Sequence, residues 1–153
     1  MTLAKEIHNC MDAGFNAYIW WYLKRFYSMI GDDEYGTAAG KVLNRGYVMS
    51  HYAKYAAGRY RVDAQREGNS SVFVTAYEGE NDLCVVMINM GENPSDVSIS
   101  LPDQFERTRA GVSAAETDEK GAMREKSVNM AKDEKTAKLR LEPQSVVSVR
   151  FER

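Results

Sequence analysis

The aromatic residues of this chain are concentrated towards one end. Residues 1–57 contain 11 of the 16 phenylalanines, tyrosines and tryptophans, whereas all three prolines lie after them. The hydrophobic periodicity changes at the same place, from a helical period to short alternating runs typical of β-strands. Because no flexible linker separates them, the sequence predicts two parts, residues 1–57 and 58–153, that pack against each other.

Composition excludes several classes of protein. The chain has 153 residues, of which 44% are hydrophobic and 27% charged, values typical of a folded globular protein. A net charge of -2 argues against a phosphate-reading surface, so no nucleic-acid partner is predicted. The sequence has no run of 18 apolar residues and no signal peptide at its start, so we predict no membrane span. Cys10 and Cys84 are isolated, which favours two buried thiols.

The first part predicts an incomplete α/β unit. Apolar residues recur at helical spacing from Leu3 to Met11, and Gly14 is a natural end for that helix. Residues 15–21 form a short apolar run rich in aromatics, which favours a buried strand. A loop of roughly twenty residues follows, far above the median of about 4–6 for such connections. A second helix is predicted over residues 44–57. Because a parallel strand needs neighbouring strands, this part looks like a piece of a larger α/β fold.

The second part predicts an antiparallel β-sandwich, so that the chain is mainly β overall. About seven strands separated by turns are typical of that architecture. Residues 83–88 are almost wholly apolar, as in a strand buried on both faces, and residues 118–135 are charged and predicted to be exposed. The predicted strands cover residues 60–64, 72–77, 83–88, 97–101, 105–117, 137–141 and 146–151.

The candidate binding residues lie where the predicted first strand ends and the long loop begins. The residues there are Trp20, Trp21, Tyr22, Lys24, Arg25, Phe26 and Tyr27. Aromatic rings suit the apolar faces of sugars, and an arginine offers a planar fork to a carboxylate. Two plainer interpretations stay open: the aromatics fill the core, or the charged pair Lys24 and Arg25 simply lies in a solvated loop.

The residues themselves predict no catalytic, cofactor or metal site. His8 and His51 lack partners at metal-ligand spacing and are interpreted as helix-surface or core-edge residues. The carboxylates of residues 58–153 are predicted to be solvated. Neither a glycine-rich phosphate loop nor a nucleophile elbow occurs in the sequence.

Four blocks occur in an order that resembles the C-terminal third of a glycoside hydrolase family 30 glucuronoxylanase, an endo-β-1,4-xylanase. They are FNAYIWWYLKRFY (residues 15–27), RGYVMSHYAK (45–54), YRVDA (60–64) and QSVVSVRF (144–151). The first two blocks are the specific ones. The resemblance implies a (β/α)8 barrel with a side β-sandwich, in which residues 1–57 are the last segment of the barrel and residues 58–153 most of the side domain.

The resemblance also implies a function and a partner. The substrate would be glucuronic-acid-decorated xylan, with Arg25 and Tyr27 contacting the glucuronic acid and Trp21 lining the cleft. Phe26 stands where a smaller residue is common, and the loop over residues 28–43 is longer than usual. Retaining hydrolysis requires two carboxyl groups about 5–5.5 Å apart.

In such enzymes the two carboxyl groups are glutamates on the fourth and seventh barrel strands, which would precede Met1. We therefore expect a chain inactive by itself, partnered by the missing barrel segment on the same or another chain, and a secreted or cell-surface full-length enzyme. The alternative is a non-catalytic carbohydrate-binding or structural β-module.

Overall fold

The computed structural model describes residues 1–103 and 111–153. Two helices, α1 (Thr2–Asp12) and α2 (Asn44–Tyr55), precede nine strands among these residues. The start of the strand predicted over residues 105–117 lies outside the described residues, and its end falls within β5. The strands are β1 (Tyr60–Val62), β2 (Val72–Glu78), β3 (Asp82–Asn89), β4 (Ser95–Ser100), β5 (Val112–Asp118), β6 (Gly121–Glu125), β7 (Asn129–Met130), β8 (Thr136–Leu141) and β9 (Ser145–Glu152).

The strands form two antiparallel sheets that enclose one core. The larger sheet has the order β1-β2-β3-β9-β5-β6 and the smaller one the order β4-β8-β7. Alternate residues of the larger sheet, such as Val85 and Val149, pack against Leu139 and Leu141 of the smaller sheet. The predicted antiparallel, mainly β architecture with two helices is confirmed, and it follows from the period-two alternation of these strands.

The helices cover the other face of the larger sheet. Leu3 and Ile7 of α1 and Tyr52 of α2 share a second apolar cluster with Val86 and Ile88 of β3. Strand β3 is therefore buried along its whole length, which explains why its sequence is apolar instead of alternating. Of the two free cysteines, Cys84 is fully buried within this cluster and Cys10 only partly. The boundary at residue 57 remains a prediction.

The strand predicted over residues 15–21 is wrong for this chain. These residues run without regular secondary structure, and Ile19 and Trp21 are 88% and 73% exposed. A strand forms only where a neighbour completes its hydrogen-bond ladder, and none of the nine described strands pairs with this segment. Local sequence preference is therefore not sufficient here.

The end of α1 fixes where this segment leaves the helix. Gly14 has a φ of +79°, a conformation that side chains disfavour. Its N–H donates to the carbonyl of Met11, and the N–H of Phe15 donates to the carbonyl of Cys10. This is a Schellman ending, so Gly14 stops the helix as predicted.

His51 lies inside the protein, contrary to the interpretation that it lies on a helix surface or core edge. Its side chain is fully buried between α2 and the larger sheet. Its Nδ1 lies 2.8 Å from Ser148 Oγ of β9, and its Nε2 lies 2.9 Å from Thr117 Oγ1 of β5. Burial, reinforced by the positive charge of Lys54, lowers the pKa of His51 to about 4. His51 is therefore a neutral polar link between helix and sheet at neutral pH.

We predict that His51 makes the fold acid-sensitive between pH 6.5 and 4. Unfolded chains take up the histidine proton below a pKa of about 6.5, whereas the folded protein resists it down to about 4. Stability is therefore lost as the pH falls through this window, by about 3 kcal/mol for a shift of this size. Urea unfolding at several pH values should show a steeper loss of unfolding free energy in the parent chain than in His51→Gln, in which the buried His8 still contributes. Parallel slopes in the two proteins would contradict the prediction.

A cluster of ion pairs around Asp82 ties the end of α2 to the larger sheet. Asp82 accepts hydrogen bonds from Arg59, at 2.7 and 2.6 Å, and from Arg150 at 2.6 Å. Arg59 also donates to the carbonyl of Lys54 in α2 and to that of Ala57. The hydrogen bonds that Arg59 donates to Asp82, opposed in part by burial, lower the pKa of the Asp82 carboxyl. The Asp82 cluster thereby holds the chain where the helical region meets the sandwich.

We expect Asp82→Ala to lower the free energy of unfolding by about 1.5–3 kcal/mol, since it removes buried, charge-assisted hydrogen bonds. Asp96→Ala is the matched control, because Asp96 pairs with Arg140 on the same sandwich but both side chains are exposed. Exposed pairs contribute about 0–1 kcal/mol. Equal losses in the two variants, measured by denaturant unfolding, would show that the Asp82 cluster has no special role.

Candidate functional site

The structure places the three predicted binding residues on one surface segment, residues 21–27. Trp21 is exposed, the Arg25 side chain is 51% exposed, and Tyr27 is half-buried. The Trp21 ring lies 4.5 Å from the Tyr22 ring, and the Arg25 guanidinium lies 5.8 Å from the centre of that same ring. The Tyr22 ring is therefore near both the Trp21 ring and the Arg25 guanidinium. Tyr27 instead packs edge-on against Phe26, with 4.9 Å between ring centres.

Asp32 is a partner of Arg25 that the sequence did not single out. Its Oδ2 lies 3.7 Å from Nη1 of Arg25, and its Oδ1 accepts a hydrogen bond from the N–H of Glu34. The carboxylate is thus anchored by its own turn and reaches the guanidinium with one oxygen. The only signal for this contact is the position of Asp32 directly after Gly31, where the loop turns back.

The long loop returns on itself through backbone hydrogen bonds. The N–H of Arg25 donates to the carbonyl of Ile30, whose own N–H donates to Leu23. The Ser28 hydroxyl donates to the carbonyl of Tyr22, and the N–H of Leu43 donates to the carbonyl of Met29. Segment 21–27 is therefore held by its own loop and by the start of α2.

Two glycines permit the close approach of this loop to itself and to α2. A β-carbon on Gly31 would overlap the carbonyl oxygen of Ala38. A β-carbon on Gly46 of α2 would lie 2.8 Å from the carbonyl oxygen of Met29. Both positions exclude a side chain because backbone occupies the space. The loop is consequently packed against α2 at Met29, which is itself buried.

Three carboxylates predicted to be solvated are buried. Asp82, Glu116 and Asp118 are all below 10% exposed. Glu116 lies 2.9 Å from Nζ of Lys126, and Asp118 lies 2.7 Å from Nη2 of Arg124. The prediction of solvated side chains is wrong for these residues because the tertiary fold supplies cationic partners. Their charges are used in ion pairs within the sandwich.

A cavity lies elsewhere, between the two sheets. It has a volume of about 650 Å³. Its lining includes the apolar side chains of Val72, Val85 and Met87 and the polar side chains of Asp63 and Ser95. No residue of segment 21–27 lines it, so it is separate from the predicted binding residues.

Residues 1–103 and 111–153 contain no cluster of three histidine, cysteine or acidic side chains suited to a metal ion. Neither described helix has the length and apolar character needed to cross a membrane.

Comparison with known proteins gives both sequence and fold similarity. No protein-family model matches the sequence. Glucuronoxylanase XynC from Bacillus subtilis (strain 168) is 38% identical over 91 residues, which are 58% of this chain and 20% of that protein. The chain therefore spans one fifth of the length of this relative.

Two solved structures share almost the whole fold. The glycoside hydrolase family 30 subfamily 8 xylanase Xyn30A from Clostridium acetobutylicum matches 99% of this chain with a TM-score of 0.85 and 28% identity. A GH30 endoxylanase from Clostridium papyrosolvens C71 matches 99% with a TM-score of 0.82 and 26% identity. The matched parts are 38% and 37% of those chains. In sequence and in fold, this chain is thus similar to the C-terminal portion of glycoside hydrolase family 30 glucuronoxylanases.

Proposed function

We propose that the chain is the C-terminal portion of a retaining glycoside hydrolase that acts on glucuronic-acid-decorated xylan. It would supply part of the substrate-recognition wall, formed by Trp21, Arg25 and Tyr27, but not the catalytic carboxylates. The observation that carries the proposal is the Arg25 guanidinium, which is half exposed and lies over the Tyr22 ring on a loop held by its own hydrogen bonds. The relatives, a glucuronoxylanase and two xylanases, supply the substrate class.

The geometry at Arg25 suits a carboxylated sugar. Asp32 contacts one guanidinium nitrogen at 3.7 Å, which leaves the remaining N–H donors free for a bidentate carboxylate. The Tyr22 ring beneath the guanidinium limits how far the arginine can move. The adjacent exposed Trp21 ring offers an apolar face to a neighbouring pyranose. A glucuronic acid carboxylate and a xylose face could therefore bind side by side.

In this proposal residues 1–57 are the last βα unit of a (β/α)8 barrel. Phe15, Ile19 and Leu23 are 61%, 88% and 67% exposed, and apolar side chains clustered in one short segment need cover. Neighbouring barrel strands would cover these side chains and complete the ladder that residues 15–21 lack. The catalytic glutamates would lie on that remaining barrel, and the full-length enzyme would be secreted or attached to the cell surface.

We expect Arg25→Ala to lower the affinity of the chain for a glucuronic-acid-decorated xylo-oligosaccharide by about tenfold or more. The reason is the loss of a charge-assisted hydrogen bond, about 1.5–3 kcal/mol. Arg45→Ala is the matched control, since Arg45 is exposed on the first turn of α2. Isothermal titration calorimetry with decorated and undecorated oligosaccharides of equal length measures the difference.

The undecorated ligand distinguishes the alternatives. Arg25→Ala should bind the undecorated oligosaccharide with the same affinity as the parent chain. Equal affinity of the parent chain for both ligands would contradict the role of Arg25 and would favour a carbohydrate-binding β-module, for which the cavity between the sheets is the candidate site.

The purified chain should not hydrolyse xylan. Retaining hydrolysis needs two facing carboxyl groups, and the buried carboxylates Asp82, Glu116 and Asp118 are occupied by arginine and lysine partners. Release of reducing sugar from glucuronoxylan should stay at the level of buffer alone. Turnover that copurifies with the chain through several chromatographic steps would contradict this expectation.

A further inference from the structure

We infer that Phe26 and Tyr35 form a second sugar-stacking platform beside Arg25, which binds a neutral xylose unit next to the decorated one. This inference rests on the proposed function and adds a subsite to it. The residues of this platform were not among the predicted binding residues. The inference is carried by the geometry of one tight turn of the same loop, residues 31–40.

Tyr35 is presented to solvent by packing on a neighbouring ring. Its side chain is 82% exposed, and its ring centre lies 4.3 Å from that of Phe26 at an angle of 44°. Phe26 in turn meets Tyr27 edge-on. The three rings form a continuous group in which Tyr35 is outermost, so a face of its ring is open to a ligand.

The turn holds Tyr35 in place at some conformational cost. Asp33, Tyr35 and Gly36 have φ values of 76°, 49° and 77°, and the left-handed region disfavours side chains such as that of tyrosine. Both the N–H and the hydroxyl of Thr37 donate to the carbonyl of Glu34. A ring held in this way loses little freedom when a ligand binds, which favours affinity.

The turn and the Arg25 subsite share one residue. Asp32 contacts Arg25 through Oδ2 and anchors the turn through Oδ1. Phe26 directly follows Arg25 in the chain. A sugar stacked on Tyr35 therefore lies beside the sugar whose carboxylate meets Arg25. A single polysaccharide strand satisfies both, because each of its pyranose units has an apolar face for stacking and polar groups at its rim.

A flat phenol ring with no charged group of its own suits a neutral pyranose. The neighbouring ion pair between Arg25 and Asp32 is already assigned to the carboxylate subsite. The occupant is therefore an undecorated xylose unit. The platform should contribute only when the ligand is long enough to reach it.

The test compares two glucuronic-acid-decorated xylo-oligosaccharides, one with a trisaccharide backbone and one with a hexasaccharide backbone. The parent chain should bind the longer one more tightly. Tyr35→Ala should lose about three- to tenfold in affinity for the longer ligand, as expected for about 0.5–1.5 kcal/mol of aromatic contact, and should bind the shorter one as the parent does. Tyr35→Phe should bind both ligands as the parent does, because stacking requires only the ring.

Two further variants control for folding and for nonspecific aromatic contacts. Tyr35→Gly removes the ring and relieves the left-handed backbone, so it should be at least as stable as the parent and still lose the affinity. Tyr60→Ala removes a similarly exposed tyrosine, 85% exposed on β1, and should leave the affinity for both oligosaccharides unchanged.

The outcomes separate this inference from the proposed function. If Arg25→Ala loses affinity but Tyr35→Ala and Tyr35→Gly do not, the platform is wrong and the carboxylate subsite stands. If Tyr35→Ala loses the same affinity for the shorter and the longer ligand, Tyr35 belongs to the Arg25 subsite. That result would contradict the inference of a separate platform. If the parent chain binds neither ligand, the inference and the proposed function both fail.

Discussion

The double burial of β3 and β9 is the constraint on which the rest of the structure depends. All eight residues of β3 are buried, and most of β9 is as well. A strand with apolar side chains on both faces requires a layer on each side. The smaller sheet supplies one layer, and α1 and α2 supply the other. The helices are therefore integral to the fold of the sandwich.

This arrangement also determines where the candidate site lies. The two helices are fixed on the sheet, so the chain between them, residues 13–43, must span from the end of α1 to the start of α2. Gly14 sets its exit, and the contact of Met29 with Gly46 sets its return. Arg25 stands between these two fixed points. The position of Arg25 thus depends on core packing several residues away. Such packing lets a surface loop present a binding group with little conformational freedom.

Much of the fold was predictable because it depends on local patterns. Val72, Leu83, Leu139 and Val149 lie in strands whose composition identifies them, and Gly14 ends its helix as expected. Residues 15–21 were mispredicted because their preference for a strand needs a neighbouring strand that the described chain lacks.

His51 and Asp82 were mispredicted for the opposite reason: their partners are distant in sequence. His51 reaches Ser148, 97 residues away, and Asp82 reaches Arg150, 68 residues away. Nothing near either residue in the chain signals the contact. The same holds at the candidate site. The family resemblance indicated Trp21, Arg25 and Tyr27, while the Asp32 contact and the outward placement of Tyr35 depend on how the loop turns back.

We propose that the loop between the helices recognises an acidic sugar through Arg25. A crystal structure of the chain with a bound glucuronic-acid-decorated xylo-oligosaccharide tests this proposal most directly. We expect the uronate carboxylate within hydrogen-bonding distance of the Arg25 guanidinium, about 2.7–2.9 Å, with the xylose backbone passing over the Trp21 ring. An oligosaccharide bound in the cavity between the two sheets, with Arg25 left uncontacted, would contradict it.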